Sequence, residues 1–508
     1  MKKNTYSLAL AASLMLGLGA CQKDAITPAP NVVGTGTNEP GTSTPTLPTT
    51  TVQGTITTNT TWTASNRYLL KGFVYVDPGV TLTIEPGTVI KGDKDTKGTL
   101  IIKQGAKIMA MGTAAKPIVF TSNQPKGARN YGDWGGVVVA GYAPANNIDG
   151  TKLPTVEGGV QADYGGQNAA DNSGTLQYVR IEFGGVALTP NNEINGLTLA
   201  GVGSGTTLDH IQVSYSGDDS FEWFGGTVNA KYLVSHRCFD DDFDTDNGFS
   251  GKAQFLVSLR DPLQADQSGS KAFESDNDAN GTTRTPLTSA VFSNVTAVGP
   301  ILNPTGSSYS PQYTAGAHIR RNSAQTIMNS VIMGFPTNIL IDNATTAGNV
   351  VKGDLRFKSN IAAGALTGSN SKGGQRGIIY VGPNGGAGSL TANSVMSSDT
   401  AAWSTAIGPL TWFGSNTNRR YNTSDEVRLA NPFNLTAPSF APLTTSPIVY
   451  TNADKPTTPV VAANFTDSKT ADSFFTKVNY IGAFSGSGAS ADNWLATWTN
   501  FDPQNTDY

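Results

Sequence analysis

The chain has 508 residues, 34 of them Lys or Arg and 38 Asp or Glu, for a net charge of −4. That balance supplies no basic stripe of the kind a nucleic-acid partner requires. Charged residues are only 14% and glycine occupies 57 positions, which argues against a helical cytosolic enzyme and for a turn-rich extracellular β-protein. The length allows two or three ordinary domains or one elongated solenoid.

Residues 1–21 read as a targeting segment. Lys2 and Lys3 form a positive start and Leu8 to Leu18 an apolar run too short to span a bilayer. The segment ends Leu18-Gly19-Ala20-Cys21, which resembles the lipobox of bacterial lipoproteins. The resemblance implies cleavage before Cys21, acylation of Cys21 and attachment to outer-membrane lipid. Gln22-Lys23-Asp24 resembles the short tract that directs some Gram-negative lipoproteins to the outer face. With Cys21 lipidated, Cys238 has no partner, so no disulfide framework or cysteine metal site is expected. Residues 22–51 are Thr, Pro, Gly and Asn with almost no large apolar side chain, and read as a tether.

The folded part is expected from Val52. Thr81-Leu82-x-Ile84-x-x-Gly87-x-x-Ile90 recurs as Thr99-Leu100-x-Ile102-x-x-Gly105-x-x-Ile108, an offset of 18 (99 minus 81). Each copy alternates apolar and polar residues and then turns at glycine. The stretch from Gly79 to Phe120, with Trp134-Gly135-Gly136 after it, resembles the opening coils of the pectin-lyase-like superfamily. That resemblance implies an all-β fold, a right-handed parallel β-helix with loop insertions, over 52–363. Residues 364–508 read as an irregular region ending in an aromatic-rich cap.

Residues 141–174, rich in Gly, Asn, Asp and Ala, are expected to form a projecting loop. Leu176 to Gly185 then matches Leu208 to Gly217 position for position, an offset of 32 (208 minus 176). Next come three aromatic–carboxylate pairs. Phe221–Glu222, Phe243–Asp244 and Phe273–Glu274 lie 22 (243 minus 221) and 30 (273 minus 243) positions apart. Successive coils of a β-helix are about 4.8 Å apart and strand neighbours point to opposite faces. The three phenylalanines should therefore stack inside and the three acids outside. Ser293-Asn294-Val295, Asn329-Ser330-Val331 and Ser359-Asn360-Ile361 fit a bend that stacks side-chain hydrogen bonds from coil to coil.

Like-charged carboxylates repel, so a repeat concentrates them only where water, a cation or a basic partner offsets the repulsion. Three readings compete. In one, Asp218, Asp219, Glu222, Asp241, Asp244, Asp246, Glu274 and Asp276 supply oxygens to Ca²⁺. Asp242 to Gly248 opens like an EF-hand loop, but Gln254 stands where the closing glutamate belongs. In another, Leu208-Asp209-His210 with Asp219-Ser220-Phe221-Glu222 resembles a pectate-lyase pattern, which implies a calcium-dependent lyase. Arg320 or Arg321 is then the base, and the family's R-x-P-x-x-R segment is missing. In the third, the acids are paired with Arg237, Arg260, Arg320 and Arg321 or solvated, and the solenoid is a non-catalytic surface for a polysaccharide or a protein. His210, His236 and His318 read as satisfied core histidines. The whole reads as a lipid-anchored, surface-exposed outer-membrane protein that binds a partner, with the lyase as the alternative.

Overall fold

The structure is a computed structural model that describes residues 47–189, 192–303, 306, 308–366, 378–381, 409–449, 461–486 and 492–508. Cys21, Trp403 and the tether up to Thr46 lie outside the described residues. One sheet winds from Thr49–Ile56 to Arg419–Tyr421, and every pairing in it is parallel. The result is a right-handed parallel β-helix with three faces, the hand that strand twist dictates for parallel crossovers.

The third face carries the aromatic–carboxylate pairs. Its strands include Leu197–Ala200, Phe221–Phe224, Phe243–Asp246, Lys271–Ser275 and Ala315–Ile319. Phe221 pairs with Phe243 and Phe243 with Phe273, with ring centroids 5.6 and 5.3 Å apart. All three are fully buried, each contributing roughly 1.5–3 kcal/mol of apolar burial. Leu197 precedes them in the column and Ala317 and Ile339 follow. Phe292 packs on Phe273 at 5.1 Å.

The match of 176–185 with 208–217 is direct pairing of neighbouring coils, Leu176 with Leu208 and Val179 with Ile211. The offset of 18 is not a coil period. Thr81 pairs with Lys107, whereas Thr99 pairs with Phe73 and Gly136, so the two copies lie on different faces. Each face needs alternation followed by a glycine turn, so the same phrase recurs within a coil.

Between the other two faces, carried in one coil by residues 207–209 and 211–214, the chain bends at Tyr178, His210, Tyr232, Phe255, Asn294, Asn329 and Ser359, all with φ between 49° and 62°. Left-handed backbone costs such residues about 1–3 kcal/mol each. Stacking of neighbouring coils offsets it. Tyr178 to His210 and His210 to Tyr232 are 4.3 Å apart, and Tyr232 to Phe255 is 5.3 Å. Farther on, hydrogen bonds take over, as the Asn and Ser spacing implied. The Val295 N–H donates to Ser330 Oγ at 3.0 Å, Ser330 N–H to Asn360 Oδ1 at 2.8 Å and Asn360 N–H to Asn418 Oδ1 at 2.9 Å.

The insertion at 141–174 does not project. Val156, Val160, Ala162 and Tyr164 are buried with Ile101, Val138, Ala200 and Phe224, so the segment roofs the third face. The expectation of a cap also changes. Trp412 and Phe413 close the far end of the core, with Phe413 stacked on Phe357 at 5.8 Å. The described tail is instead a strap along the flank, running back towards the first coils. Asn329 donates to Asn464 O, Gln254 to Thr476 O, Gln212 to Asn500 O, and Tyr508 to Glu182. Trp494 and Trp498 seal the aromatic bend against His210. Fused bend donors and acceptors need partners wherever they are hidden, and the strap's backbone supplies them.

Candidate cation site and its arginine flank

Glu222, Asp244 and Glu274 form one column across the third face, in direct register and in the order the alternation implied. Thr198 precedes them and His318 follows. The column points away from the core but not into open water. Glu222 and Glu274 are 7% and 6% exposed. Asn195 donates its amide to Glu222, and Glu157 from the roofing segment reaches the same carboxyl.

A second column stands at the turn before these strands. Asn195 Oδ1 accepts the Asp219 N–H at 3.1 Å, Asp219 Oδ1 accepts Asp241 N–H at 2.7 Å, and Asp241 Oδ1 accepts Lys271 N–H at 2.6 Å. One oxygen of each aspartate thus holds the next coil. Cys238, buried below, donates to the carbonyls of Asp218 and Asp241.

Oxygens of three trios lie within 4.8 Å of one another: Asp218, Asp219 and Asp240; Asp219, Glu222 and Asp244; Asp241, Asp244 and Glu274. The third already holds a cation, because the Lys271 ammonium is 3.2 Å from Asp241 Oδ2 and contacts Glu274. The first two have no such partner among the described residues. Asp240 Oδ1 and Asp244 Oδ1 are buried without a hydrogen bond among the described residues. Burial, and then the neighbouring acids, push the Asp218, Asp219 and Glu222 carboxyls well above their usual range. Burial followed by Asp246 raises Asp244 to about 7. Buried oxygens that are crowded, unpaired and reluctant to ionise fit a bound metal cation.

Arg320 and Arg321 reach the same face one coil beyond Asp276. Arg320 Nε and Nη2 donate to Asp276 Oδ1 and Oδ2 at 2.8 and 3.0 Å, and Nη2 also contacts Glu274. Arg321 Nη1 donates to Asp276 Oδ2 at 2.5 Å. Burial and then Arg321 lower the Arg320 proton affinity. Asp246 lies beside this group and is raised to about 7, chiefly by burial. The sequence-derived acids therefore divide. Among the described residues Asp218, Asp219, Glu222 and Asp244 are without basic partners, and Asp241, Glu274 and Asp276 are paired. Asp240, Glu157, Asn195 and Lys271 belong to the site and were missed. Asp240 was legible only as one acid of a run, and Lys271 only from its place before Phe273.

The other pairings lie apart. Arg260 binds Asp242 at 2.9 Å with both side chains fully buried, and Arg237 pairs with Asp261. His210 and Asp209 sit at the aromatic bend, not on the third face. The Asp-His and Asp-Ser-Phe-Glu elements of the lyase-like pattern thus fall on different faces. His236 Nε2–H donates to Leu435 O at 2.8 Å, and burial lowers the pKa of the ring to about 3. His318 pairs with Asp342 at 3.0 Å.

These coils and columns have a counterpart in known sequences. The family model described as a pectate-lyase-like beta helix domain matches residues 54–405. The chain belongs to that family. No curated protein and no solved structure matches it. Membership in this β-helix family accounts for the faces, the coil-to-coil columns and the loops between them. It does not assign chemistry to the acids.

Proposed function

We propose that this β-helix is a non-catalytic binding module for a glycan or a protein at the cell surface, anchored through acylated Cys21, with Ca²⁺ as a structural ion. The observation that carries it is the state of the two candidate bases. Both arginines are committed to Asp276, and Arg320 also to Glu274. A base must reach the substrate proton in a form able to accept it. A guanidinium forked onto a buried carboxylate is held as a cation and a strut. Calcium fits the two unpaired trios because it takes six to eight oxygens in flexible geometry, and carboxylates with nearby backbone carbonyls provide them.

The second reading is a calcium-dependent lyase acting on a uronate polymer. It is favoured by the lowered proton affinity of Arg320, the direction a cationic base requires. The experiment has two readouts. Calcium should raise the melting temperature through binding to the folded state. Polygalacturonate incubated with the protein and calcium should develop no ultraviolet absorbance from an unsaturated uronate. Absorbance that disappears in Arg320→Ala would replace the binding reading by the lyase. For the anchor, wild type should incorporate labelled fatty acid and Cys21→Ser should not. Equal labelling would remove the lipid from this proposal.

A further inference from the structure

Beyond the acid columns, a cavity of about 510 Å³ opens at the edge of the roofing segment, where it meets the turns that follow Val76 and Ile102. Its lining includes Pro78, Lys103, Gln104, Tyr142, Gln161 and Asp163. The volume is within the range of small-molecule sites, roughly 300–1,000 Å³. Two features of its construction point to a ligand. The first is an aromatic platform. Tyr142 is 42% exposed, on a fold whose other large aromatics are mostly buried. Gly105 has φ +85°, and a Cβ there would lie 3.0 Å from the Tyr142 hydroxyl, so the glycine leaves room for the ring across the turn. The second is a set of polar groups held in place with hydrogen-bonding capacity to spare. Gln104 Nε2 donates to Gly141 O at 3.0 Å and Gly165 O at 2.8 Å, which fixes the amide and leaves its oxygen to accept. Asp163 Oδ1 is taken by the Thr155 hydroxyl at 2.8 Å, leaving Oδ2. The Gln161 backbone N–H is tied to Tyr75 while its amide side chain is exposed.

The charge of the cavity restricts the ligand. Lys103 is the one cation among the described lining residues, and Asp77 pairs with that ammonium at 3.0 Å. Asp163, the lining acid, has no basic partner among the described residues. An anionic sugar or a phosphate would meet that carboxylate with no free cation to balance it. A hydroxyl-rich neutral ligand uses what is present: an exposed ring for its C–H face, and mixed donors and acceptors for its hydroxyls.

We infer that this cavity is a saccharide subsite that takes a neutral sugar unit, separate from the acid columns. It rests on the glycan branch of the binding reading above and gives it a location and a sugar class. The test uses the full chain in detergent, with cellotriose, maltotriose and mannotriose as neutral probes and trigalacturonate as the acidic one. Saturation-transfer NMR and isothermal titration give the readout. At least one neutral trisaccharide should bind and trigalacturonate should not. Tyr142→Ala and Gln161→Ala, both at exposed positions, should each weaken that binding by on the order of tenfold at an unchanged melting temperature. Asp244→Asn should leave it intact. Neutral-sugar binding that survives in both Tyr142→Ala and Gln161→Ala would overturn the subsite while leaving the glycan reading in place. Binding of trigalacturonate alone would also overturn it. Binding of no probe would remove the subsite together with the glycan branch.

Discussion

Asp219 turns one carboxylate oxygen onto the backbone N–H of Asp241, one coil on, at 2.7 Å. Asn195 makes the same bond to Asp219. An amide therefore serves the backbone as well as a carboxylate does, and the acid is not needed to hold the coil. Its carboxylate also belongs to both unpaired trios.

Asp219→Asn should keep the fold. Without calcium it should unfold at an equal or higher urea concentration than wild type, because one crowded charge is gone. It should also lose the rise in stability on calcium addition. Asp219→Ala removes the acceptor and leaves a buried N–H unpaired, at a cost of roughly 1–3 kcal/mol. Urea unfolding of the three proteins, with calcium and with chelator, separates the two jobs of the residue. An Asn variant that still gains stability from calcium as wild type does would refute the shared-ligand role.

The same crowding sets a pH dependence. Asp244 and Asp246 are raised to about 7, in both cases chiefly by burial. In an unfolded chain aspartate titrates near about 3.9. Between about pH 4 and 7 the folded state thus holds protons that the unfolded state has released, so stability falls as pH rises through that window. Asp218, Asp219 and Glu222, which have no basic partner among the described residues, shift in the same direction and add to the fall. In chelator, melting temperature should decline from pH 5 to pH 8. Calcium, which favours the ionised carboxylates, should reduce or reverse that decline. A chelated protein that becomes more stable across this range would contradict the burial of unpaired acids.

Much of this was legible in the sequence, for one physical reason. Stacking forces one residue of each coil to resemble its neighbour, so Phe221, Phe243 and Phe273 announced their register through spacing alone. The acids followed by alternation. The roof was not legible, because Val156, Val160 and Tyr164 are sparse apolar residues among Gly and Asp with no period to read. Nor was the division of the acids. The Arg320 contact with Asp276 spans 44 positions and a coil boundary. The phrase shared by 81–90 and 99–108 carries no coil length, because every face obeys the same alternation. The strap bonds to bends through its own backbone, which carries no sequence signal.

Arg320 offers a test of strut against base. Its side chain is 14% exposed and serves two carboxylates that are 8% and 7% exposed. Removing one partner of a buried ion pair leaves an uncompensated charge, typically worth about 3–5 kcal/mol. Arg320→Ala should therefore destabilise strongly. Arg321 is 32% exposed, so Arg321→Ala should cost roughly 0–1 kcal/mol. Thermal unfolding of both variants measures this. Near-equal, small losses would show that Arg320 is not a strut and would return it to the list of candidate bases.

Tyr508 anchors the strap. The Tyr508 hydroxyl donates to Glu182 Oε1 at 2.6 Å, and Asn500 Nδ2 donates to the same hydroxyl at 2.9 Å. The Arg129 guanidinium lies 4.9 Å from the Tyr508 ring centroid and donates to the carbonyls of Pro503 and Thr506 at 2.6 and 2.9 Å. Glu182 is 1% exposed, and burial raises its carboxyl against the pull of Arg180. Tyr508→Phe keeps the ring and the cation contact but takes the donor from a buried acid, for an expected loss of about 1–3 kcal/mol. The loss should be local. Hydrogen exchange should quicken in 492–508 and at the bend around His210, while the column of Phe221, Phe243 and Phe273 keeps its protection. Glu182→Gln offers the reciprocal check, since a neutral amide at that position still accepts from Tyr508 and no longer has to be buried as a charge. It should protect the strap as well as wild type does. Unchanged exchange in Tyr508→Phe would mean that the ring contacts alone fasten the strap and that the hydroxyl has no part in it.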